Sequence, residues 1–141
     1  HDENISIDQM KKEAGEELTE RLQQISLELY KYAYTKVLNR NLLLLDTKFE
    51  FGFIGDELLL IDEIFTPDSS RYRTMSSTGD SEPLALDKQF LRDWLTEIGY
   101  EGNTEPPELP DSIVSELSRR YCDVFQRITR DTIEESLENY G

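Results

Sequence analysis

The feature that most constrains this chain is a change of hydrophobic period at residues 39–41. Before it, Met10, Ala14, Leu18, Leu22, Ile25, Leu29, Ala33 and Val37 recur every three or four residues. That single apolar stripe predicts one long helix from Ile7 to Leu38. Ser6 is placed to cap it, with Gln9 reaching back to the Ser6 amide and Ile5 stapled against Met10. Asn39-Arg40-Asn41 ends the helix, and the period then falls to two. Leu42 to Phe53 and Glu57 to Phe65 read as strands around the turn signal Ile54-Gly55-Asp56, forming an antiparallel hairpin. A long helix beside hairpin strands places the chain in the α+β class.

Downstream, Thr66 to Pro83 reads as a long polar loop, and loops of that length are usually functional or disordered. A short helix follows from Asp87, its expected cap, with Phe90, Leu91, Trp94, Leu95 and Ile98 as its buried side and Gly99 as its stop. Glu105-Pro106-Pro107-Glu108-Leu109-Pro110 is a stiff connector. The last helix begins near Asp111 and carries Ile113, Leu117, Tyr121, Val124 and Ile128 on one stripe. Beyond Thr129 acidic residues dominate, so Asp131 to Gly141 is expected to fray or lie on the surface.

Composition narrows the function classes. Hydrophobic residues make up 37% of the 141, which supplies a core and argues against disorder. Thirty acidic residues against fifteen basic give a net charge of −15, which argues against a nucleic-acid partner. A solvated acidic surface accounts for the excess. If such a chain holds phosphorylated ligands, its few cations must gather at one place. The one cysteine, Cys122, excludes an internal disulfide or a thiolate cluster, and its apolar helical setting predicts a buried structural thiol. No apolar run reaches transmembrane length and no signal peptide opens the chain, so no membrane partner is expected and a cytoplasmic location is the default. The chain opens on His1 and not on methionine, so a processed chain or a fragment is expected.

The first strand divides its labour. Leu43, Leu45, Thr47, Phe49, Phe51 and Phe53 form the expected core face, and Leu44, Asp46, Lys48, Glu50 and Gly52 the other. With a three-residue loop over residues 54–56, position 50 lies opposite 60 and 48 opposite 62, so Asp62 shares the face of Lys48 and Glu50. A one-residue slip would put Asp62 on the opposite face. Two carboxylates on adjacent strands suit a shared Mg2+ that draws further ligands from nucleotide phosphates and water. The plainer alternative is an exposed face with a Lys48–Asp62 salt bridge. A lone histidine weakens any zinc reading.

Four stretches resemble the phosphoribosylaminoimidazole-succinocarboxamide synthases (SAICAR synthetases), in the family's order. Leu44-Leu45-Asp46-Thr47-Lys48-Phe49-Glu50-Phe51-Gly52 is similar to the signature Asp-x-Lys-hydrophobic-Glu-Phe-Gly. Ile61-Asp62-Glu63-Ile64-Phe65-Thr66-Pro67-Asp68-Ser69-Ser70-Arg71 resembles the Asp-Glu…Pro-Asp-Ser-Ser-Arg stretch. The stretch Asp87-Lys88-Gln89-Phe90-Leu91-Arg92-Asp93-Trp94-Leu95 is similar to a later helix, and His1-Asp2-Glu3-Asn4-Ile5-Ser6 to a mid-chain segment. The segment from Tyr72 to Asp80 departs from the family's aromatic and glycine placement.

The resemblance implies an ATP-grasp-like C-terminal catalytic lobe spanning residues 1–141, lacking the family's N-terminal nucleotide lobe and inactive alone. It implies a ligase of purine synthesis that joins carboxyaminoimidazole ribonucleotide to L-aspartate through an acyl phosphate, with ATP and Mg2+ as cofactors. Carried over by residue, Glu50 and Asp62 would hold the metal and Lys48 would approach the nucleotide phosphates. Ser70 and Arg71 would contact the ribonucleotide, with Asp2, Lys88 and Arg92 as further substrate contacts. Two other readings stay open: a metal- or nucleotide-binding module of the same ancestry without ligation, and a structural assembly domain. The apolar helix stripes can face a core or a second copy in a homo-oligomer.

Overall fold

The computed structural model describes residues 3–75 and 84–140. Asp2 and the stretch from Ser76 to Asp80 lie outside the described residues. The elements in order are α1 (Ile7–Ala14), α2 (Glu16–Leu38), β1 (Leu42–Thr47), β2 (Glu50–Ile54), β3 (Glu57–Ile61), β4 (Ser70–Thr74), α3 (Gln89–Glu97), α4 (Asp111–Thr129) and α5 (Ile133–Tyr140). The chain forms two compact units, His1–Ala33 and Tyr34–Gly141, divided within α2. The expected α+β class holds. Among the described residues, no helix is long and apolar enough to cross a membrane.

In the first unit the expected single helix is two. Gly15, at φ 87° and ψ 154°, interrupts it, a conformation open chiefly to glycine. Ser6 Oγ does accept from the Gln9 amide at 3.1 Å, but the Gln9 side chain donates to Glu13 at 2.6 Å and does not complete the reciprocal cap. Lys11 spans the break, reaching Glu16 and Glu20 at 3.0 Å each. Those two carboxylates, Glu20 first, raise the Lys11 pKa.

In the second unit the long strand expected from Leu42 to Phe53 is also two strands, serving separate sheets. β1 pairs antiparallel with β4, and β2 with β3. β4 arises within the stretch read as a polar loop, because Ser70 and Tyr72 point inward while Arg71 and Arg73 point out. The buried face of β1 is the reverse of the expected one: Leu42 and Leu44 are fully buried and Leu45 is exposed. A bulge explains the rest of the strand. Leu44 pairs with Tyr72, but Asp46 pairs with Arg71 and Thr47 with Ser70, so Leu45 is the extra residue. Without it, alternation would carry Asp46 to the buried face.

The hairpin register is also one residue from that expected. Glu50 lies opposite Ile61 and Ile54 opposite Glu57, leaving the two-residue turn Gly55-Asp56. Continued as a strand, β3 would then aim Asp62 away from Lys48. It does not continue: Asp62 takes φ 64°, ending the alternation.

Val37, Leu86 and Val124 are the other buried apolar residues described in this unit, beside Leu42, Leu44 and Tyr72. Arg120 anchors α4 there. Its guanidinium donates to the Ala85 carbonyl and to Glu116, each at 2.7 Å, and lies 4.1 Å from the Phe90 ring centre. Three expectations for the helices change. Cys122 is exposed, on the side of α4 away from the buried Val124, so it is no core thiol. Ile98, following α3, is exposed as well. Residues 133–140 form a helix, because Thr132 accepts from the Glu135 amide at 3.1 Å while Glu135 accepts from the Thr132 amide at 2.8 Å.

Candidate active site

The bulge in β1 builds one wall of the site. It sets Asp46 against Arg71 on the outer face, where both carboxylate oxygens accept from the guanidinium, Nε donating at 2.9 and 2.8 Å. This pairing lowers the Asp46 pKa and raises that of Arg71. Asp46 therefore braces Arg71. On the inner face the Thr47 and Ser70 hydroxyls share a hydrogen bond of 2.7 Å, and Ser70 is buried.

Lys48 sits between the two sheets, in the gap that separates β1 from β2. Its ammonium donates to Glu50 Oε1 at 2.5 Å and lies 3.6 Å from Asp62 Oδ2. Glu50 first, then Asp62, raises the Lys48 pKa. The left-handed backbone at Asp62 thus recovers the contact that the register alone would lose. All three side chains are roughly half exposed, so this is a solvated ion triad. A cation already lies between two carboxylates, the charge arrangement that suits a divalent ion. Among the described residues, no group of three or more His, Cys, Asp or Glu side chains gathers to hold a metal. The Glu50–Asp62 pair could supply two ligands and would leave the others to a bound phosphate and water.

The opposite wall comes from the start of α3 and the loop before β4. Lys88 meets Asp68 at 3.1 Å, which lowers the Asp68 pKa. Asp87 is buried and uses both oxygens, accepting from the Tyr72 amide at 3.0 Å and the Gln89 amide at 2.7 Å. Lys88, not the expected Asp87, stands at the cap position of α3, while Asp87 holds the first amide of the helix from one residue earlier and ties α3 to β4. These walls enclose a cleft of about 280 Å³.

Lys48, Arg71, Lys88 and Arg92 line the cleft, against the four carboxylates of Asp46, Glu63, Asp68 and Asp87. In a chain of net charge −15 the cleft is therefore locally neutral. The expected gathering of cations is present. Among the described residues Arg92 forms no ion pair, whereas Arg71 and Lys88 each have one and Lys48 has two. Seven predicted site residues thus converge: Lys48, Ser70, Arg71, Lys88 and Arg92 line the cleft, and Glu50 and Asp62 join it through Lys48, while Asp2 lies outside the described residues. Glu63 and Ser69 also line it and were not singled out from the sequence; their place in the stretch from Asp62 to Arg71, beside Asp62 and Ser70, is the signal that could have suggested it.

By fold and cleft chemistry, this is an α+β chain whose described residues form a charge-dense cleft. Residues 1–108 match the SAICAR synthetase family. A phosphoribosylaminoimidazole-succinocarboxamide synthase from Maridesulfovibrio salexigens is 39% identical over 95% of this chain and 45% of its own length. One from Candida maltosa is 40% identical over 96% of this chain and 46% of its own. The SAICAR synthase of Saccharomyces cerevisiae, solved in complex with SAICAR, superposes with a TM-score of 0.79 at 34% identity, over 93% of this chain and 44% of that one. The chain belongs to the SAICAR synthetase family, and it spans a little under half the length of these relatives.

Proposed function

We propose that this chain is the C-terminal, ATP-grasp-like part of an ATP-dependent ligase of purine biosynthesis, which condenses carboxyaminoimidazole ribonucleotide with L-aspartate. The observation that carries this reading is the gathering of four cations in one cleft of a strongly acidic chain, with Arg92 left without an ion pair among the described residues. An exposed guanidinium beside a second cation is suited to a phosphate or carboxylate, which it can grip with two bonds. The yeast relative's complex with SAICAR supports the same ligand class.

In this reading Arg92 and Lys88 hold the ribonucleotide's phosphate, and Ser70 and Arg71 contact the same substrate from β4. The substrate carboxylate takes the terminal phosphoryl group of ATP, forming an acyl phosphate and ADP. The aspartate amine then attacks the acyl carbon, phosphate departs and the amide forms. Such chemistry rests on positioning and charge neutralisation. Lys48 would neutralise the transferred phosphoryl group, with Glu50 and Asp62 as ligands to Mg2+. The metal, when bound, would offset charge on the phosphate oxygens. Asp46 and Asp68 hold Arg71 and Lys88 in place before the substrate arrives.

Activity would need the residues that relatives have beyond the span matched here. The test is turnover of ATP, ribonucleotide and aspartate by this chain alone and by the chain joined to a relative's N-terminal half. Turnover is expected only in the second case, and Glu50→Gln or Asp62→Asn should lower it at least 100-fold with the fold retained, the order expected for loss of a transition-state charge contact. Unchanged rates would remove the two carboxylates from the chemistry and favour the plainer reading, a salt-bridged surface around Lys48.

A further inference from the structure

The loop from Asp62 to Ser69 supplies Asp62 to the Lys48 triad and Glu63, Asp68 and Ser69 to the cleft. Two of its non-glycine residues hold left-handed backbone, Asp62 at φ 64° and Phe65 at φ 58°. Such conformations are costly for residues other than glycine and persist only where surrounding contacts impose them. Phe65 lies midway, three residues from Asp62 and three from Asp68. Its ring packs edge-on against Phe49, with centres 5.4 Å apart. Its carbonyl accepts from the Tyr72 hydroxyl at 2.7 Å.

Tyr72 is the largest fully buried side chain described. It stands directly after Ser70 and Arg71 on β4, and Asp87 holds its amide. A tyrosine at such a site is costly unless its hydroxyl is bonded, and an aromatic ring without the hydroxyl would fill the same space. The hydroxyl thus joins the buried strand to the strained midpoint of the loop.

We infer that Tyr72 is a positioning residue: its hydroxyl, through the Phe65 carbonyl, fixes the loop that presents Asp62 and Asp68 to the site. Burial pushes the Tyr72 pKa up to about 12, so the hydroxyl remains a donor throughout the neutral range. The role rests on the functional reading above, because it matters only if the cleft binds an anion.

The experiment compares this chain with its Tyr72→Phe variant, which keeps the ring and removes the hydroxyl that donates to Phe65 and also interacts with Ser70. Hydrogen exchange of residues 62–69 is followed alongside calorimetric titration with inorganic phosphate, and circular dichroism checks the fold. The expected result is roughly tenfold faster exchange confined to the loop, the size of one hydrogen bond. Phosphate binding should weaken about threefold, a fraction of that same bond, with the helical signal retained. Unchanged loop exchange would overturn the clamp. Native phosphate binding that the variant matches would overturn the positioning role alone. Absence of phosphate binding by the native chain would overturn the functional reading and this role with it, while the exchange data would still judge the clamp.

Discussion

The two antiparallel pairs differ more than their lengths suggest. In the β1–β4 pair, Leu42, Leu44, Tyr72 and Ser70 are buried, and the charged Asp46–Arg71 pair lies on the outer face. In the β2–β3 hairpin no residue is buried, and Phe53, Ile54, Leu60 and Ile61 are exposed. The first pair is a core element that aims Ser70 and Arg71. The second carries Glu50 and leads to Asp62 with little packing of its own, and an isolated two-stranded hairpin is marginal in water. The proposed ribonucleotide contacts thus sit on firm backbone, and the proposed metal ligands on a less supported one.

The sharpest way to break this comparison is a matched pair of truncations. Leu44→Ala should cost about 3 kcal/mol by chemical denaturation, as a fully buried leucine does. Ile54, 71% exposed, is the counterpart. Ile54→Thr should change stability by no more than about 0.5 kcal/mol. Similar losses at both positions would refute the division into core and exposed pairs.

A second, smaller effect concerns the charges that support the buried pair. Arg119 and Arg120 hold the Glu116 pKa down, from an ordinary 4.5 to about 2. A carboxyl depressed on folding stabilises above its unfolded pKa, and that contribution fades as pH falls through its folded one. The thermal midpoint should therefore drop between about pH 4.5 and 2, and Glu116→Gln should flatten that part of the curve. A variant whose curve parallels the native one would show that the pair does not support the core.

Much of this was legible in the sequence. The period change gave the helix-to-strand order, and the alternating charges of β1 and β2 brought Lys48, Glu50 and Asp62 together. They met by a route that alternation could not supply: the register slipped by one, and left-handed Asp62 restored the contact. The bulge at Leu45 was invisible, because five apolar or charged residues in a row offer no mark of where one is extra, and it inverted the core face. β4 hid in polar composition although Ser-Arg-Tyr-Arg-Thr does alternate. The terminal helix was missed despite Thr132 and Glu135 standing at capping-box spacing. Local rules were readable; backbone irregularities, which place most of the site, were not.

The most direct test of the cleft is calorimetric titration of carboxyaminoimidazole ribonucleotide into this chain and into its Arg92→Gln variant. Salt-sensitive binding by the native chain, weakened roughly tenfold or more in the variant, is expected for loss of a charged hydrogen-bond donor. Equal binding by both chains, or none by the native one, would contradict Arg92 as the anchor of an anionic substrate.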